Sequence, residues 1–365
     1  MKKLILICLM LPLFMINAYG LELEDEAARE FGTDRLYDVL DEEEKRISGK
    51  LSLDGSYDTS GAMARLWRNF VQQLVSELES SVKFITALLA ICLMGAFLSS
   101  VCTQKGAAVA LEITACATAA AYMLGNVDSI VSQTVEAMYR LSDYSKAALP
   151  VVFTAAAAGG AVSSSAAKFA AVSFALDILM SISQKLIIPL VYSFLAITLA
   201  NSMFSNPILS CVQKLCKWAA STLMTGMTIA FTTYISMVGA IGSAVDTAAV
   251  KTARSFISGT LPVVGGMISD ASAMVLSAAG VVKSCAGVFG LIAAAAICVG
   301  PFALLSVKML LLKGVAAVAD SMESGRLSMM FSGLGTAMAL LLGLLGSCGI
   351  MLFISFTAGL KAVNI

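Results

Sequence analysis

The chain has no histidine, and only 13% of its residues are charged. The first absence removes imidazole metal ligands, histidine proton relays and the commonest general base. The second leaves about half the charged share of a soluble domain, which is ~25%. Proline is scarce as well, six residues in 365, so each one marks a place where a helix has to start, stop or bend. Cysteine is present nine times but never as a CxxC pair. Cys8 lies in the N-terminal leader, and Cys92, Cys102, Cys116, Cys211, Cys216, Cys285, Cys298 and Cys348 lie in or beside apolar runs, as reduced packing residues rather than a disulfide framework. There is no phosphate-binding glycine loop with its lysine, no metal-ligand cluster and no nucleophile with a base partner. The chain therefore reads as a non-enzyme with no cofactor and no metal.

What is abundant is apolar sequence: 58% hydrophobic residues and a mean hydropathy of +0.87. That composition specifies an all-α polytopic membrane protein, with about eight spans expected and a range of seven to ten. Charge is unevenly placed, since residues 21–83 hold 15 acidic and 8 basic residues while 84–365 hold 9 and 14.

Lys2-Lys3, the apolar run Leu4–Ile16 and Ala18-Tyr19-Gly20 have the layout of a signal peptide over 1–20, with cleavage expected between Gly20 and Leu21; an uncleaved anchor is the alternative. Residues 21–83 form an exported acidic helical segment. Its last part, from about Met63 to Lys83, carries Leu66, Phe70, Leu74 and Leu78 at helical spacing, either a membrane-surface or partner-binding helix or a solvated lead-in to the first span. That span occupies 84–104. The next unit, 105–216, reads as a span with Glu112, an interfacial stretch Val127–Ala147, a small-residue segment after Pro150 that is either a span or a re-entrant hairpin, and a helix from Pro189 to about Phe204. A second unit covers 217–313, and a loop with the C-terminal span covers 314–365. Lys105, Lys214 and Lys217 read as cytoplasmic.

The two units look like copies. Leu149-Pro150-Val151-Val152 recurs as Leu261-Pro262-Val263-Val264, and the same offset of 112 relates Ser165-Ala166-Ala167 to Ser277-Ala278-Ala279, Pro189 to Pro301 and Lys105 to Lys217. A duplication of about 112 residues with broken Pro/Gly-containing helices is the expectation.

The costliest apolar stretch is Leu261–Leu291, interrupted by Pro262, Gly265, Gly266, Asp270 and Lys283. Such groups are tolerated in hydrocarbon only against protein or a wet cavity. Together with Pro150, Glu112 and Asp177 they are the candidate polar pathway or helix-break residues. The alternatives remain that Asp270 caps a helix, that Lys283 snorkels, and that Glu112 and Asp177 make interhelical hydrogen bonds. Gly335, Ala339, Gly343 and Ser347 form a small-residue stripe at i+4 spacing, a packing face either within the bundle or against another subunit.

The P-V-V-G-G-x-x-S-D-A run from Pro262, followed by Lys283, Gly287 and Gly290-Leu291, resembles the stage III sporulation protein AE family of endospore-forming bacteria. The resemblance implies a membrane component of a secretion-like channel complex connecting mother cell and forespore, required after engulfment. It implies sibling stage III sporulation membrane proteins and a cytoplasmic ATPase as partners, with a forespore-side channel protein as a further one. The bilayer is its medium, and no nucleic acid is involved. The alternative class is a stand-alone secondary permease for a small solute or ion.

Overall fold

The computed structural model describes residues 34–49, 59–102, 104–158, 162–260 and 265–360, with side chains described except at 34–35, 105, 162–164, 239–260 and 265–285. The leader with Gly20 and Leu21, and also Pro262, lie outside the described residues. Two short helices, α1 (Asp34–Asp38) and α2 (Glu42–Ser48), precede the long rods α3 (Thr59–Val101), α4 (Lys105–Ala158) and α5 (Val162–Ile182). A π turn (Ser183–Ile187) joins α5 to α6 (Ile188–Phe204), followed by α7 (Pro207–Thr260), α8 (Gly265–Ser321) and α9 (Gly325–Leu360). No strand occurs among the described residues.

Five helical segments among the described residues are long and apolar enough to cross a membrane: Thr59–Val101, Gly106–Ala158, Ser165–Phe204, Ala286–Ser321 and Gly325–Leu360. Some stretches read as separate elements run together as single helices. From Ala62 to Met94 there is no glycine or proline, so the amphipathic segment and the first span form one 43-residue helix. At about 1.5 Å per residue that is roughly 65 Å, twice a hydrocarbon layer of ~30 Å.

Helix α4 likewise runs 54 residues through both Gly125 and Pro150. The stretch read as interfacial continues in the same helix as the preceding span. Ile130, Thr134, Met138, Leu141, Tyr144 and Ala148 fall on one face and are buried against the bundle, and that apolar stripe stabilises the helix where glycine would weaken it. Pro150 is thus not a break. Its ring removes one donor, and the chain continues as helix, with the Thr154 hydroxyl donating to the Pro150 carbonyl at 2.6 Å.

The break near Pro189 takes another form. In the π turn the Ile188 N–H bonds Ser183 O, so the helix widens just before the proline, which has no N–H to place. The 112-residue offset is not followed by the helix boundaries: α4 and α7, each 54 residues, begin at Lys105 and Pro207, an offset of 102.

Helix α9 is the centre. It packs against α8, α4, α6, α7 and α5. The apolar windows of α8 and α9 are 72% buried, against 22% for those of α3 and α4, so the two most apolar rods owe that character to protein surroundings. The two pair antiparallel, with Gly335 facing Met309–Lys313, Gly346 facing Phe302, Gly349 facing Cys298 and Gly290 facing Phe356. Their connection is a Schellman turn: Ser324 N–H reaches Ala319 O (3.1 Å), Glu323 N–H reaches Asp320 O (3.0 Å), and Glu323 takes φ +60°. The α6–α7 connection uses Ser205 at φ +50°. There the Asn206 side chain accepts from Ile208 N–H (2.9 Å) as N-cap, and Pro207 opens α7.

A Cβ on Gly290 would stand 2.4 Å from Phe356 Cε1, whereas Gly226 faces open space. Gly290→Val should therefore lower the thermal midpoint of the solubilised protein by the equivalent of about 1–3 kcal/mol beyond Gly226→Val. Equal shifts would show that α8 and α9 do not approach so closely.

Candidate functional site

Charged side chains gather at the two ends of the bundle. At one end α1 and α2 dock on the rods. Leu36 and Leu40 are buried, and the Tyr37 ring lies 5.0 Å from that of Phe289 on α8. Asp41 and Glu44 form a capping box at the start of α2, and Arg140 of α4 pairs with both, Nη2 lying 2.6 Å from Asp41 Oδ2 and 2.7 Å from Glu44 Oε2. On α3, Arg65 donates to Ile47 O (3.2 Å), while Asn69 and Gln73 donate to Glu43. Burial raises the Glu44 carboxyl above its ordinary range, against the lowering effects of the Asp41 N–H and Arg140.

At the opposite end Glu112 meets Arg326. The Arg326 backbone N–H, one of the donors left free at the start of α9, bonds Glu112 Oε1 at 3.3 Å, and its Nε lies 3.4 Å from Oε2. The Glu112 carboxylate caps α9 from a neighbouring helix, on the end where the helix dipole is positive. The Arg326 guanidinium also donates to Met203 O, so one pair ties α4, α9 and the end of α6 together. Between the two ends, Lys308 of α8 donates to Ser81 Oγ (2.8 Å) and lies 4.7 Å from the Phe84 ring centroid.

Near the Arg326 end, α6, α7 and α9 line a polar cavity of about 360 Å³ that is open to the outside. Gln213 spans its inner side, donating to Thr198 Oγ1 at 2.8 Å and accepting from Asn201 at 3.4 Å. Gly333 permits this contact, since a Cβ there would lie 2.4 Å from Thr198 Cγ2. Lys214, Lys217, Ser328, Ser332 and Thr336 also line the cavity.

Of the sequence-selected residues, Glu112 pairs with Arg326. Asp270 and Lys283 both lie on α8, thirteen residues or about 20 Å apart along one helix, too far to pair with each other; their side chains, with Gly265 and Gly266, lie outside those described. Asp177 is exposed, between the exposed Phe174 and Ile178. In the small-residue stripe Gly335 packs on α8 and a Cβ on Gly343 would stand 3.8 Å from Met224 of α7, with Ser347 buried and Ala339 half-buried. Closer approaches occur at Gly287, Gly290, Gly333 and Gly359, outside that stripe. Arg140, Glu44 and Lys308 were missed. Lys308 carried a signal, a cation inside the apolar run from Pro301 to Leu312, whereas the pairing of Arg140 with Glu44 spans 96 residues.

No group of three metal-ligating side chains occurs among the described residues. Long apolar rods around a buried hairpin, with ion pairs at the ends, define an all-helical membrane protein. A family model described as stage III sporulation protein AE matches residues 52–362, and the chain belongs to that family of sporulation membrane proteins. Neither a search of curated proteins nor one of solved structures returned a match.

Removing the cap in Glu112→Ala leaves the Arg326 N–H and guanidinium without their carboxylate and should cost about 1–3 kcal/mol of thermal stability, with Glu112→Gln milder. Identical losses would refute the capping role. For Glu44 the raised value means that the docked state holds its proton more tightly than the undocked one. Docking of α2 is strongest below the ordinary carboxylate range and weakens as pH rises through the raised value. Hydrogen exchange at 42–48, corrected for intrinsic pH dependence, should show protection falling as pH rises above the ordinary carboxylate range in wild type and staying level in Glu44→Gln.

Proposed function

We propose that the protein is a multi-pass, non-catalytic component of the secretion-like complex linking mother cell and forespore, assembled with sibling stage III sporulation membrane proteins and a cytoplasmic ATPase and needed for forespore development after engulfment. A forespore-side channel protein is its counterpart across the space that the exported N-terminal segment enters. Family membership gives the setting. The observation that carries the rest is the filled centre. A carrier that works alone needs a solute site where its halves meet near mid-membrane. Along α9 that position is occupied by Met338, Leu341, Leu344 and Leu345, all buried. Such a core suits a subunit whose pathway forms with neighbours, not a rocking permease.

The apolar exterior supports assembly in a bilayer. Leu93, Met94, Phe97 and Val101 on α3, and Ile229 and Met237 on α7, are exposed on the rods. The acidic end with α1 and α2 is the exported one, and the end with Lys214, Lys217 and Arg326 is cytoplasmic, as the positive-inside rule requires.

Affinity purification of the tagged, full-length protein from sporulating cells should bring down sibling membrane proteins and the ATPase. In vesicles the protein alone should give no solute uptake. Uptake by the isolated protein, with no co-purifying sibling, would replace this reading with the permease.

A further inference from the structure

We propose that the cavity between α6, α7 and α9 is a binding site for the phosphate headgroup of an anionic phospholipid. Its polar lining includes two cations, Lys214 and Lys217, and hydroxyls from Ser328, Ser332 and Thr336, and no carboxylate. The lysines stand three apart on α7 and so share a face, and neither makes an ion pair with the described residues. Two unneutralised ammonium groups beside hydroxyl donors call for an anion with several acceptor oxygens.

The surroundings select a lipid over a free ion. On the same turns of α7, Ile208, Val212, Leu215 and Trp218 are exposed, at 70%, 38%, 58% and 64%. An acyl chain can lie along that strip while the phosphate enters the cavity. Trp218 next to Lys217 has the amphipathic character of a residue at headgroup level. Basic pockets between helices on the cytoplasmic side take anionic headgroups in this way. The Thr198–Gln213–Asn201 chain satisfies its own polar groups, and Thr336 donates to Ser332 O (2.9 Å), which leaves the lysines and the Ser328 and Ser332 hydroxyls for the ligand. The site needs only that this end of the bundle reach a membrane interface, so it stands independently of the channel reading.

The test uses the full-length protein, delipidated in a zwitterionic detergent and offered phosphatidylglycerol or phosphatidylcholine, with bound lipid counted by native mass spectrometry. Wild type should prefer phosphatidylglycerol. In the double variant Lys214→Gln/Lys217→Gln that preference should fall by roughly thirty-fold, equivalent to about 1 kcal/mol per lysine. Ser332→Leu, which fills the cavity and leaves both lysines, should reduce it as well. The thermal midpoint in detergent without lipid reports folding, and phosphatidylcholine retention is an internal control that misfolding would also change. Unchanged phosphatidylglycerol preference in the double variant overturns the proposal. So does a lysine-dependent response to inorganic phosphate with no preference between the two lipids, which would make the site one for a free anion.

Discussion

A helix as apolar on every side as α9 cannot face water, and the other rods are arranged so that little of it does. Its buried serines make no demand on the neighbours: Ser347 and Ser355 return their hydroxyls to the carbonyls of Leu344 and Met351, at 2.8 and 2.7 Å. Its glycines lower the walls where another rod comes near, α6 at Gly333, α8 at Gly346 and Gly349, and α4 at Gly359. In lipid there is little hydrophobic gain from joining two helices, so close packing through small residues has to supply the attraction. The wrapped hairpin of α8 and α9 is the result.

Once the centre is dry, charges are admitted at its margins with partners. Glu112 and Arg326 are each about one-fifth exposed, and their contact ties the start of α9 to α4, with Met203 O bringing in the end of α6. At the far end Arg140 compensates a Glu44 carboxylate that is only 8% exposed and whose burial opposes ionisation. Between the ends, half-buried Lys308 donates to Ser81 and stands over the face of Phe84.

This division also bears on function. A rigid centre leaves function to the surfaces and ends: the docked acidic helices on one side, the lysine-lined cavity on the other, and an apolar exterior between them. On the function and lipid site proposed above, each offers a different kind of contact, to exported protein, to headgroups and to neighbouring helices. None requires the bundle to open, which agrees with a subunit that contributes walls to a larger assembly.

Class and medium were legible in the sequence, because an apolar majority with few charges and no histidine allows few alternatives. So was the helix opening near Pro189 and ending at Phe204, where Ser205-Asn206-Pro207 holds both a stop and a start. Family membership was legible in the run after Pro262. Tertiary structure decided which apolar residues meet lipid and which meet protein, since hydropathy is the same for both: α3 and α8 have windows of 2.3 and 2.4, yet one is 22% and the other 72% buried. It also decided that the helix continues through Pro150 and Gly125, because burial of the Ile130–Ala148 face outweighs a local penalty of about 1 kcal/mol at the glycine. The ion pairs were beyond the sequence for a related reason. Glu112 and Arg326 stand 214 residues apart, and nothing local to either says that the start of α9 will arrive beside the first turns of α4.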